Sequence, residues 1–134
     1  MLVPVSAFVV WAATLLLGLA GVNVLDSFCP PQQMVSGACI APWHQPGVEA
    51  LIIVCAGLAA FGVVVVTALV APGHKLRVAV VAFACGALFA GYFAQSGDAW
   101  GAFLAAAAGG SSGLWLVASR WRRSPALASP DGES

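Results

Sequence analysis

Residues 48–70 read VEALIIVCAGLAAFGVVVVTALV, and residues 71–77 follow as APGHKLR. The first stretch has one charged residue, Glu49, at its start, and then stays apolar for longer than the roughly 20 residues a helix needs to cross the hydrocarbon core of a bilayer. Pro72 and Gly73 end it, as proline and glycine end helices, and Lys75 and Arg77 follow at once. A run that is apolar on every face reads as a membrane span rather than as the amphipathic helix of a water-soluble domain.

Three more runs of this kind flank it. The spans are predicted at residues 4–25, 48–70, 76–95 and 99–119. Together they nearly exhaust the 134 residues, of which 61% are hydrophobic and only 7% charged. A soluble domain carries about a quarter charged residues. The chain is therefore read as all-α integral membrane, with residues 1–119 forming one four-helix domain. Residues 120–134 are read as a basic juxtamembrane segment and a disordered cytoplasmic tail rich in Ser and Pro. Glu49 is expected in the first turn of the second helix, where the helix dipole favours a carboxylate, and Asp98 is expected to cap the fourth. A cleaved signal peptide is the competing reading of residues 4–25. It lacks the basic start and has too long an apolar stretch, so an uncleaved helix is expected.

Orientation follows from the cations. All five sit in two places, Lys75 with Arg77 and Arg120 with Arg122 and Arg123. In a four-span chain those two segments share a side, and the opposite loop, residues 26–47, has no Lys or Arg. Cytoplasmic loops carry the excess of Lys and Arg, so both ends are expected in the cytoplasm, with the basic residues at anionic lipid headgroups. Trp43 and Trp100 fall near the outer interface, and Trp115 and Trp121 near the inner one, where aromatic belts form. Abundant Ala, Gly, Val and Trp beside a single Lys suggest a GC-rich bacterium, and so a bacterial cytoplasmic membrane.

Short links between helices two and three, and three and four, predict an up-down bundle. The longer first loop allows helix one to lie beside either helix two or helix four. Helix four carries Gly101, Ala105, Gly109 and Gly113 at four-residue steps, and helix three carries Ala87 and Gly91. Such small-residue rows let backbones approach closely, and they serve either packing within the bundle or docking of a second subunit. The run GGSSG at residues 109–113 is poor helix sequence and raises the prospect of a break.

The loop between helices one and two reads SFCPPQQMVSGACIAPWH over residues 27–44. Cys29 and Cys39 lie on the oxidising side, where a structural disulfide is the ordinary outcome. Closing a loop of this size contributes about 2–3 kcal/mol through loop-closure entropy. Cys29, Met34, Cys39 and His44 are soft donors of the kind Cu(I) prefers. Their five-residue steps match none of the close pairs of metal motifs, so no metal site and no cofactor is predicted. Four spans with outer cysteines resemble, in outline, the quinone-linked membrane enzymes that generate disulfides in the bacterial periplasm. The resemblance fails at the residues, because the chain has no Cys-x-x-Cys and no cysteine at residues 96–98. Cys55 and Cys85 are expected as small core residues, near enough to meet.

No Asp, Glu, Lys, Arg or His falls in the middle of a span. Ionisable residues at that depth mark ion and proton pathways, so a pump or proton-coupled carrier is disfavoured. Nucleotide-binding, serine-hydrolase and zinc-protease motifs are also missing from the sequence. The basic cluster is too small for nucleic acid. The expected function is therefore non-catalytic: an accessory or assembly subunit, or a homo-oligomer, whose partners are the lipid bilayer and another membrane protein or itself. A thiol-redox or soft-metal protein using the loop cysteines, and an oligomeric channel or facilitator, are the alternatives.

Overall fold

The computed structural model describes residues 2–71, 75–97 and 99–122, with the side chains of residues 2, 3, 121 and 122 left aside. It contains four long helices: α1 (Leu2–Ser27), α2 (His44–Val70), α3 (Lys75–Gly97) and α4 (Trp100–Arg122). Each is long and apolar enough to cross a membrane. Between α1 and α2 lie a short 3-10 turn (Pro31–Gln33) and a two-stranded ribbon, β1 (Met34–Val35) with β2 (Ala38–Cys39).

Helix ends differ from the sequence expectation for identifiable reasons. α2 begins four residues before residue 48, because Pro46 lies in the first turn, where its missing N–H has no intrahelical partner to lose. The backbone N–H of Gly47 already donates to the carbonyl of Trp43 at 3.1 Å. Glu49 consequently stands in the second turn, beyond the strongest part of the dipole. α4 runs unbroken through Gly109, Gly110 and Gly113 to Arg122, so the expected end at residue 119 is three residues short. Asp98, Arg123 and the tail expected at residues 124–134 lie outside the described residues.

α2 is the central helix. Its most extensive contact is with α4, it also packs against α1 and α3, and α3 packs on α4. Helix one thus lies along α2 and has at most marginal contact with α4. The glycines explain the α2–α4 seam. A Cβ on Gly109 would overlap the carbonyl oxygen of Gly57, and one on Gly57 would stand 3.3 Å from the carbonyl of Ala105. Gly101 faces Ile53, and Gly113 faces the Phe61 carbonyl and Val64. The row of small residues on α4 and the single glycine Gly57 on α2 bring the two backbones together. At one end of this seam Val64, Ala68, Ala79 and Val117 form the buried cluster that joins α2, α3 and α4.

Polar groups within the helices are satisfied locally. Thr14, Thr67, Ser111 and Ser112 each donate a hydroxyl hydrogen bond to the carbonyl four residues earlier, at 2.7–2.8 Å. Asn23 likewise donates to the Leu19 carbonyl at 2.9 Å. In hydrocarbon no water is present to take an unpaired donor, so back-bonding to the same helix is how such residues are accommodated. Among the described residues no buried side-chain nitrogen or oxygen lacks a partner.

Candidate functional site

The segment between α1 and α2 is the one part of the described chain with irregular backbone outside the helix ends. It leaves α1 through two turns, the Phe28 N–H donating to the Leu25 carbonyl and the Cys29 N–H to the Asp26 carbonyl. Pro30 is extended at φ −62° and ψ 138° and opens the 3-10 turn. Met34 then pairs with Cys39 and Val35 with Ala38 in antiparallel register. The two residues between them, Ser36 and Gly37, have φ of +52° and +83°. Two successive positive φ angles make a type I′ turn, whose twist matches that of the strands it joins. The Ile40 N–H donates to the Gln33 carbonyl at 3.0 Å and continues the pairing.

Covalent and polar links fix this ribbon to the helices. Cys29 and Cys39 are disulfide-bonded, with Cα atoms 6.0 Å apart. Below them the Nε2–H of His44, in the first turn of α2, donates to Oδ1 of Asp26 near the end of α1 at 2.7 Å. The His44 side chain is only 15% exposed and Asp26 39%, so the bond is partly shielded from water. The segment is therefore pinned at its base, its middle and its tip. It is not apolar-inward, however. Phe28 is 71% exposed, Ile40 63% and Val35 53%, while Ala41 is buried.

The soft-donor set is dispersed by these bonds. The sulfurs of Cys29 and Cys39 are bonded to each other, His44 is engaged with Asp26, and Met34 stands exposed on β1. Among the described residues no three of His, Cys, Asp and Glu gather to hold a metal ion. Cys55 and Cys85 are both free thiols. A Cβ on Gly18 of α1 would stand 3.5 Å from Cys55 Sγ, so Cys55 packs toward α1, and Cys85 is exposed rather than in the core.

The stripe of Gly101, Ala105, Gly109 and Gly113 faces α2, with Gly101 at its exposed end. On α3, Gly91 faces the Phe103 ring of α4, and Ala87 lines a cavity with Phe83 and Phe103. Of the basic residues, Arg77 and Arg120 are exposed and Lys75 is half-buried. Lys75 lies one turn before Ala79 and Arg120 one turn after Val117, and both of those belong to the cluster joining the helices. The cations of α3 and α4 thus sit at one end of the molecule. Arg122 is the last helical residue of α4.

Two parts of the site escaped the sequence reading. The ribbon was signalled by the Ser36-Gly37 dipeptide, a turn pair, between Met34-Val35 and Ala38-Cys39. The Asp26–His44 bond had no local signal, since its partners are 18 residues apart. No protein family, curated protein or solved structure matches this chain.

Proposed function

We propose that this protein is a non-catalytic subunit of a bacterial cytoplasmic membrane, a four-span up-down bundle with both ends cytoplasmic, which acts by presenting its outer cap to a membrane-protein partner or a second copy. One observation carries the reading. The cap is fixed by a disulfide, a type I′ ribbon and the Asp26–His44 bond, yet it leaves Phe28, Val35 and Ile40 exposed. Ordering an irregular segment costs conformational entropy, and a chain that fixes one while exposing its large apolar side chains gains a pre-organised recognition surface. Contacts through the α4 small-residue stripe are not part of this proposal, because that stripe faces α2. The cations of α3 and α4, on the cytoplasmic face, anchor the bundle to anionic headgroups.

A photo-crosslinking amino acid in place of Val35 or Ile40, in native membranes, tests the reading. The expected result is a discrete crosslink to one protein, which mass spectrometry identifies as a partner or as the chain itself. The paired change Cys29→Ser and Cys39→Ser is expected to weaken it several-fold. Crosslinks to lipid alone, unaffected by removing the disulfide, would overturn the proposal.

A further inference from the structure

Between the middles of α2 and α3 and the first two turns of α4, with Trp11 of α1 at its edge, lies a half-open cavity of about 260 Å³. Its origin is the sequence of α3. The Phe83 ring wedges against Gly110 of α4, and about two turns of α4 earlier Phe103 packs on Gly91 of α3. Between these props the facing positions are small, among them Ala60, Gly86 and Ala107. Alanine and glycine side chains cannot fill the gap that two phenylalanines hold open. Gly86 is an exposed residue of this lining, and a Cβ built on it meets no atom within 4 Å.

Depth and lining chemistry define what enters. Gly86 is the midpoint of α3 (Lys75–Gly97), and the α2 wall centres on the middle turns of that helix. In a spanning helix those positions lie in hydrocarbon, away from both interfaces. Every lining residue is Ala, Gly, Val, Phe or Trp, so the indole N–H of Trp11 is the one side-chain donor. A ligand with a quinone ring or a hydroxyl would leave its oxygens largely unpaired there, a costly burial. An apolar chain loses nothing. Apolar cavities of about 150 Å³ already take up a benzene-sized molecule, and this one is larger and open to the bilayer at its side.

We propose that the cavity is a binding slot for one acyl chain of a bilayer phospholipid, which seats laterally past Trp11 and completes the packing of α3 on α2. The headgroup stays outside and is not selected. This inference does not rest on the docking role of the outer cap; it requires only that the helices span the bilayer.

Native mass spectrometry of the full chain in mild detergent, titrated with dioleoylphosphatidylethanolamine, tests it. Wild type is expected to retain one phospholipid per chain and to show a lipid-dependent rise in Tm. Gly86→Leu, which adds bulk at the cavity lining, is expected to lower retention about tenfold and to abolish the Tm rise. Gly86→Ala gives an intermediate loss and serves if the leucine variant does not fold. Gly97→Leu is the control, since a Cβ there also meets nothing within 4 Å but the residue lies outside the cavity lining; it is expected to behave as wild type. Absence of bound lipid in wild type, unchanged retention in Gly86→Leu, or equal loss in Gly97→Leu overturns the proposal. So does the mass of a bound quinone in place of a phospholipid, or a dimer in which Phe89→Cys crosslinks between chains across the cavity mouth.

Discussion

At Gly109 there is no room for a methyl group. The added Cβ would overlap the Gly57 carbonyl, and backbone, unlike a side-chain tip, cannot swing aside. Gly109→Ala is therefore expected to destabilise the bundle by about 1–3 kcal/mol through overpacking, seen as a lower thermal midpoint in detergent. Gly86→Ala is the same chemical change where nothing lies within 4 Å. It is expected to be neutral or to gain up to about 1 kcal/mol from helix propensity. Equal effects at the two sites would mean that the α2–α4 backbones are farther apart than described. The Asp26–His44 bond is a second test at this scale. It joins an ionised carboxylate to a ring N–H, with Asp26 partly in water, and contributes about 1 kcal/mol. A double-mutant cycle with Asp26→Asn and His44→Ala is expected to return a coupling of that size, and additive effects would show that the contact is not formed in the membrane.

The ribbon is the element whose geometry depends most on two residues. Type I′ turns favour Asn-Gly over other pairs, and here Ser36 holds φ +52° without a preference for it. Ser36→Asn is expected to tighten the cap, and Gly37→Val, which puts a β-branched residue at φ +83°, to loosen it by roughly 1–2 kcal/mol. Titration with dithiothreitol followed by maleimide labelling reads this directly: Cys29–Cys39 is expected to be reduced at higher reductant in the first variant and at lower reductant in the second. The same element shows where sequence reading succeeds and stops. The Cys29–Cys39 pairing was legible from compartment and spacing, and the spans from runs too apolar for water. The start of α2 was not, because Pro46 is both a helix stop and a tolerated first-turn residue, and only the backbone distinguishes the two. Gly57 looked like any other glycine of an Ala-Gly-rich helix. Its role appears only when α4 sets Gly109 opposite it, a pairing between residues far apart in sequence that no local pattern encodes. Which helix α1 chose was open for the same reason, and Gly18, Gly21 and Gly62, which receive Cys55, Leu51 and Val10 across the α1–α2 contact, decide it only in three dimensions.

For the whole molecule the distribution of charge outweighs its sum. Net charge is zero, yet Lys75, Arg77 and Arg120 stand at the end of the bundle where Ala68, Ala79 and Val117 meet, and the ribbon end has no Lys or Arg. Retention of short basic segments on the cytoplasmic side sets orientation, whereas Asp26 and Glu49 contribute little to it. The proposed topology therefore rests on few side chains and can be moved by changing them. An epitope inserted between Ser36 and Gly37, at an exposed tip that tolerates insertion, is expected to be reached by antibody in intact spheroplasts. A tag placed after Ser134 is expected to be reached only after permeabilisation. The changes Arg120→Gln, Arg122→Gln and Arg123→Gln, together with Gln32→Lys, Gln33→Lys and Gln45→Lys, transfer the bias to the ribbon end while touching the helices only in the first turn of α2 and the last turn of α4. They are expected to give a mixed population in which part of the C-terminal tag becomes accessible from outside. A tag accessible in the unaltered protein would invert the orientation, place Cys29 and Cys39 in the reducing compartment, and remove the setting in which their disulfide persists.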